Sequence, residues 1–395
     1  MRISTSALFR QAVDLMNQQQ ISLAKIQEQI ATGQRMATAA DDPAAHAQAL
    51  NLEASLDNIN RMGDNASLAS QNLAVVEDTL GEINNNLQRV RELALQANSG
   101  TLDATQRGHI KVEIDQVLDN ILQLANRQGS DGSYLFAGND QANAPPFSRS
   151  GSAFNYSGDQ GQRQLEVAPG QYITQNLNGA DVFQRISTGN GEYRVRENAG
   201  ASGSAVLRSS SLVDPNLWDG GPYQLNFTSS GNYEVRDAGN ALIGSGTYQP
   251  GDSIDVQGVR VTLDGTPASG DSFTVETAPR QDIFSTVQQL SDALADPEGG
   301  ARLSNSIYAT LEDIDQSINH INDQRALVGS RMNTADAALQ SHDALSLFYQ
   351  SSLSEIKDLD YAAASAELAQ QLTALQAAQA AFVRVQGMSL FDMLR

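Results

Sequence analysis

The sequence predicts an α+β protein: a long antiparallel α-helical coiled coil or bundle built from both chain ends, with an all-β domain inserted in the middle. Three observations carry this expectation. Residues 59–94 place apolar side chains at alternating steps of three and four. Residues 307–356 repeat that spacing, and residues 187–279 between them alternate with a period of two. The first two patterns are heptad seams and the third is the mark of strands with one buried face. A helix with so narrow an apolar stripe cannot bury itself, so each strip needs a partner helix. The two strips are of similar length, which pairs them. That pairing places residues 130–280 at one end of the molecule and brings the N- and C-termini together at the other.

Composition narrows the function. The chain has 395 residues, enough for two or more domains, of which 40% are hydrophobic and only 6% aromatic. The net charge of −21 opposes non-specific binding to nucleic acid or to acidic lipid. There is no cysteine, which excludes disulfides, thiolate metal sites and a Cys nucleophile. No segment has the apolar run of a signal peptide, nor the run of about 20 residues that crosses a membrane. The expectation is a cytosolic protein, or one that leaves the cell with its N-terminus uncut.

Taken in order, residues 5–32 read as a helix, with Phe9, Val13, Met16, Leu23, Ile26 and Ile30 on one side and Gly33 as its stop. Asp42-Pro43 reads as an N-cap and first turn of a second helix that continues into the 59–94 seam. That seam is Ile59, Met62, Ala66, Ala69, Leu73, Val76, Leu80, Ile83, Leu87, Val90 and Ala94. Asn98-Ser99-Gly100 ends it. A third helix begins at Asp103 or Thr105, is lined by Ile110, Ile114, Val117, Ile121 and Leu124, and runs to Gly129. Short strands follow at 155–158, 164–167 and 171–173, separated by glycine turns.

The insert 187–279 is a domain of about 90 residues with its own core. Tyr223, Leu225 and Phe227 share one face, as do Ile254 and Val256, Val259, Val261 and Leu263, and Phe273 and Val275, with Trp218 packed among them. Ile283, Val287, Leu290 and Leu294 mark a short helix. The long seam then runs through Ile307, Leu311, Ile314, Ile318, Ile321, Val328, Met332, Ala335, Leu339, Tyr349, Leu353 and Ile356. Arg325, His342 and Ser346 occupy the same phase; the Arg325 stem is expected to cover apolar surface while its head reaches solvent. After Asp358-Leu359-Asp360 a last helix, rich in Ala and Gln, carries Tyr361, Leu368, Leu372, Leu375, Phe382 and Val385. Domain bounds follow from these breaks: terminal helices 1–40 and 358–395, a helical rod 41–186 with 280–357, and an outer β domain 187–279. The terminal helices offer each other little apolar area against the ordering cost of about 1–2 kcal/mol per residue. They are therefore expected to order only when many copies pack together.

Three segments, quoted from this sequence, resemble the flagellin superfamily. They are Gly33-Gln34-Arg35 followed by Ala40-Asp41-Asp42-Pro43; Arg89-Val90-Arg91-Glu92-Leu93-Ala94 running to Gly100; and Ile356-Lys357-Asp358-Leu359-Asp360-Tyr361. They cover both helical ends in the right order. The start Met1-Arg2-Ile3-Ser4-Thr5, the run Gly132 to Gly138, Asn178 to Phe183 and the close Ser389 to Leu394 are similar to the hook-associated protein 3 branch, the hook–filament junction proteins. Arg395 at the end is flagellin-like, and the insert is long for that branch. The resemblance implies a structural component of the bacterial flagellum and not an enzyme. It implies unfolded export through the flagellar channel without cleavage to an extracellular position. It implies a homo-oligomeric ring with another hook-associated protein on one side and flagellin on the other, and an export chaperone at the C-terminal helix. No cofactor, nucleic acid or membrane is implied.

Other functions find little support. Asp41-Asp42 as an acid or metal pair competes with a helix cap, which Pro43 favours. The four histidines, His46, His109, His320 and His342, have no metal-ligand spacing. Gly129-Ser130-Asp131-Gly132 lacks the Lys of a phosphate loop and reads as a turn. Two alternatives stay open: a flagellin that builds the filament itself, and a glycan-binding insert using Trp218, Tyr223 and Tyr233.

Overall fold

The structure is a computed structural model describing residues 5–129, 132–139, 144–229, 231–296 and 299–393, with side chains described from Arg10 to Arg384. Six α-helices are described: α1 Thr5–Thr32, α2 Pro43–Ala97, α3 Ala104–Ala125, α4 Ile283–Leu294, α5 Gly300–Lys357 and α6 Tyr361–Met393. The strands are β1 Phe147–Ser150, β2 Ala153–Tyr156, β3 Gln164–Ala168, β4 Gln171–Thr174, β5 Ile186–Ser187, β6 Tyr193–Glu197 and β7 Val206–Leu212. They continue as β8 Tyr223–Ser229, β9 Asn232–Arg236, β10 Leu242–Thr247, β11 Ser253–Val256, β12 Val259–Asp264, β13 Ser272–Thr277 and β14 Arg280–Gln281. The chain divides into two compact units, one of Met1–Asp64 with Ala338–Arg395 and one of Asn65–Ala337.

In the larger unit the heptad seam of α2 is buried throughout: Leu73, Val76, Leu80, Ile83, Leu87 and Val90 have no exposed surface. Its antiparallel partners are α3 and α5. Arg89 on α2 bonds Glu113 on α3 at 2.7 Å, and Arg127 just beyond α3 reaches Asp78 and Glu82. On the other side Arg91 pairs with Asp315 at 2.6 Å, Arg325 Nε donates to Glu77 at 2.9 Å, and Ser70 donates to Asp336. Residue numbers rise along α2 as they fall along α5, which is the antiparallel register. Ile314, Ile321 and Val328 are fully buried, and Ile318 and Met332 half-buried. Arg325 keeps about a third of its side chain exposed, and its head is tied across the helix pair to the equally exposed Glu77, next to Val76 of the seam.

The α3 helix starts where Asp103 caps it, with the reciprocal Gln106 bond of a capping box. It ends at Ala125 rather than Gly129. The Asn126 side chain there makes two 2.9 Å bonds to the backbone of Phe147, so the residue leaves the helix to hold β1. Leu118, not Val117, is its central buried residue. A straight α-helix turns at 3.6 residues and drifts off a 3.5 repeat.

Phe136, Phe147, Phe183 and Phe284 join ring to ring at 5.0–5.8 Å, seating α4 against β1. The central β region forms a five-stranded antiparallel sheet in the order β10-β9-β8-β13-β6 and a three-stranded sheet β11-β12-β7. Their inner faces make one core from Tyr193, Val195, Leu225, Phe227, Val259, Val261, Phe273 and Val275 among others, with Trp218 and Tyr233 partly buried against it. The predicted alternation along these strands is what fills that core.

Candidate functional site: the paired chain ends

Within the smaller unit, α1 packs antiparallel along α6, and the turns that follow one and precede the other are stitched together. Gly33 stops α1 in a left-handed conformation, φ +71°. Any other residue would be strained there, and an added Cβ would lie 2.7 Å from the Tyr361 hydroxyl oxygen. The backbone then pairs across: Arg35 N–H donates to Lys357 O at 2.7 Å and Leu359 N–H to Gly33 O at 3.0 Å. Gln29 closes the turn by donating to Arg35 O at 2.6 Å. In the same unit Lys357 also reaches Glu53 of α2.

The aspartates of the two boxes are turn and cap residues. Asp41 accepts from Thr38 N–H at 2.9 Å and binds Lys25 at 2.7 Å. The Lys25 ammonium, helped by Thr38, holds its carboxyl down at about 2. Asp42 Oδ1 accepts from Ala45 N–H at 3.0 Å, the N-cap bond of α2, with Pro43 in the first turn. Asp360 caps α6 by accepting from Ala362 and Ala363 N–H, and Asp358 accepts from Ser354. Such carboxylates satisfy helix ends and leave none free to act as an acid pair. Arg89 is committed to Glu113 and to Glu92 at 3.0 Å on the surface of the larger unit.

Along the helices the inward stripe differs from a count of large apolar residues. On α1, Ile26 is buried and Val13, Met16, Leu23 and Ile30 are half-buried. On α6, Ala364 is buried, and Leu368, Leu375 and Phe382 are half-buried, with Gln371 in phase with them. Leu372 is 39% exposed and lies beside the stripe rather than in it. The side chains of Phe9 and Val385 lie outside the described residues. No helix among the described residues is long and apolar enough to cross a membrane, and none of their side chains forms a metal-holding cluster.

A feature the sequence did not signal lies in the larger unit, where α5 meets the β domain. Asp313, 1% exposed, accepts from Gly189 N–H at 2.7 Å and pairs with Arg196 of β6. Asn305, two turns earlier, accepts from Leu207 N–H at 2.7 Å and donates to Ala205 O at 2.9 Å. Burial pushes the neighbouring Glu312 carboxyl up to about 7, against the pull of Arg196. Glu312 thus holds its proton more tightly in the folded state. Its contribution to stability is full below the ordinary value of 4.5 and is lost as pH rises through about 7. Melting followed at pH 6 and pH 8 is expected to show lower stability at pH 8, and Glu312→Gln should remove about 1 kcal/mol of that difference. An unchanged pH profile in the variant would show that Glu312 is not the group responsible.

Residues 3–141 match the bacterial flagellin N-terminal helical region, and residues 311–394 the bacterial flagellin C-terminal helical region. The crystal structure of FlgL from Xanthomonas campestris is 35% identical, aligned over 74% of this chain and 99% of that chain with a TM-score of 0.68. The flagellar junction protein FlgL from Legionella pneumophila is 27% identical over 78% of this chain and 99% of that chain, with a TM-score of 0.71. Flagellar hook-associated protein 3 of Escherichia coli (strain K12) is 24% identical over 395 residues, covering 100% of this chain and 99% of that protein.

Proposed function

This chain belongs to the FlgL family of flagellar hook-associated structural proteins, and from that premise we propose that it forms the junction between hook and filament, on which the flagellin filament is assembled. The observation that carries the proposal is a likeness running across nearly the whole of the FlgL chain, joined to the stitching of the first and last helices into one unit. The mechanism is coupled folding and assembly, with no bond made or broken. We take α1 and α6 as the axial packing elements, through Phe9, Val13, Met16, Leu23, Ile30, Leu368, Leu372, Leu375, Phe382 and Val385. The heptad seam of α2 and α5 supports them, and the β domain faces outward. Many copies would form a ring, with another hook-associated protein on the hook side and flagellin on the filament side. A cytosolic chaperone would hold the C-terminal helix until export, which leaves the chain uncleaved and extracellular. The half-buried state of most of the apolar stripe supports this, since one partner helix covers only part of each side chain.

Electron microscopy of cells lacking this protein tests the proposal. Hooks without filaments, with flagellin in the medium, are expected. Filaments still attached to hooks would refute the junction role, and purified protein that polymerises into long filaments would favour a filament subunit instead.

A further inference from the structure

Where α5 meets β6, one guanidinium faces two adjacent carboxyls. Asp313 has what a buried carboxylate needs: Arg196 pairs with it through Nη2, and Gly189 N–H donates to it at 2.7 Å. Glu312 has neither. It is half-buried within electrostatic reach of Arg196, and it makes no hydrogen bond or ion pair among the described residues. Arg196 in turn keeps an idle donor, because its Nη1 is buried and bonds nothing. A carboxyl without a donor and a donor without an acceptor therefore flank one bond that is made.

The three groups have two arrangements. With its proton on, Glu312 is neutral and Arg196 serves Asp313 alone. With the proton off, two carboxylates share one guanidinium in a covered place, and a desolvated carboxylate without a donor is costly. Relief comes when Arg196 turns its idle donor toward Glu312 or when the contact opens to water, and both take Arg196 off Asp313. The other groups around Glu312 offer no free cation. Asp315 of α5 is bound to Arg91 of α2, and Arg194 of β6 is bound to Glu276. Glu192 is a further carboxylate, and Tyr193 and Tyr308 carry hydroxyls that burial pushes up, away from ionisation. Eight residues earlier on α5, about 12 Å along the axis, Asn305 makes a second anchor, to Leu207 N–H and Ala205 O, with an amide that does not titrate. We propose that Arg196, Asp313 and Glu312 form a pH-sensitive latch: when Glu312 loses its proton the Asp313 anchor releases, Asn305 holds, and the β domain opens from α5 at one end. The Glu312 carboxyl, held up to about 7, sets the change near neutral pH. The latch stands independently of the junction role.

Hydrogen exchange of the purified full chain at pH 6 and pH 8, corrected for the intrinsic rate at each pH, tests this. Protection of the peptide spanning Gly189 to Val195 is expected to fall about tenfold at pH 8, the change linked to a carboxyl moved from 4.5 to about 7. The peptide around Leu207 should keep its protection. Glu312→Gln, which keeps the uncharged shape, should hold the first peptide protected at both pH values. Glu197 is also pushed up by burial and bonds Asn305, so a fall that persists in Glu312→Gln would assign the titration elsewhere and overturn the inference. Equal protection of the parent at both pH values would overturn it as well. So would a loss at Leu207 together with Gly189, which is unfolding of the whole domain rather than release of one anchor. If Glu312→Gln fails to fold, the parent's two peptides still decide.

Discussion

A Leu375→Asp chain is expected to be made, exported and folded in its β domain, and to leave cells without attached filaments. Leu375 lies in the inward stripe of α6 between Leu368 and Phe382, against α1. Replacing it removes about 2 kcal/mol of apolar burial and places a carboxylate in that apolar stripe. Low-charge, Ala-rich helices have little apolar area in reserve, so a loss of that size is a large share of what holds the pair. The defect would recur in every copy of a ring. The β domain has a core of its own in the larger unit, built from Leu225, Phe227, Val261 and Phe273. Soft-agar motility, flagellin in the medium and limited proteolysis of the purified chain together read the outcome. Motility should be lost and flagellin shed, and the β domain of the purified variant should resist the protease as the parent's does. Normal swimming would remove Leu375 from the assembly surface. Leu372→Asp is the informative comparison. Its exposure in the single chain predicts an intact α1–α6 pair, so any loss of motility it causes comes from contacts between copies.

The helices were legible because their signal is local. Leu73 through Val90 announce a buried seam by spacing alone, and Asp42-Pro43 and Asp103 mark helix starts through bonds made within one turn. Errors appeared wherever local spacing had to stand in for geometry. Val117 satisfies a 3,4 repeat, yet Leu118 is the residue turned inward, because the helix keeps its own pitch. In α6 a count of large side chains selects Leu372, although Gln371 sits in phase with Leu368 and Leu375. When most of a stripe is Ala and Gln, a few leucines do not fix its phase. The strand β1, Phe-Ser-Arg-Ser, buries one residue of four and carries no alternation to detect. It is held by Asn126 and by the rings around Phe147, partners distant in sequence. The candidate site was legible in part for the same reason: its boxes are cap and turn motifs, whereas their stitching across residues 33–35 and 357–359 is a long-range fact.

Asp313→Ala is expected to loosen the β domain from α5 at a cost of about 3 kcal/mol. On α5 the heptad face is Ile307, Ile314, Ile321 and Val328, and the sequence leaves the rest of the surface polar, as if for solvent. In the structure polar residues of α5 are covered as well: Asn305, Thr310, Asp313 and Ser317 are all nearly or fully buried, Thr310 and Ser317 in phase with the apolar face and Asn305 and Asp313 off it. Thr310 and Ser317 satisfy their hydroxyls on carbonyls one turn back, at 2.8 Å each, so covering them is cheap. Asn305 and Asp313 turn outward and bond the β domain. Removing the Asp313 carboxylate leaves Gly189 N–H and the partly buried Arg196 without their acceptor, a loss typical of breaking a buried pair from one side. Asp313→Asn keeps an acceptor for Gly189 and should recover part of the stability, which separates the hydrogen bond from the charge. The α2–α5 seam keeps its own buried apolar residues, so helix content should persist while proteolysis begins near residues 188–206. Equal melting of variant and parent would mean that Arg196 finds water or Glu312 at no cost, and that the β domain is held to α5 by Asn305 and apolar contact alone.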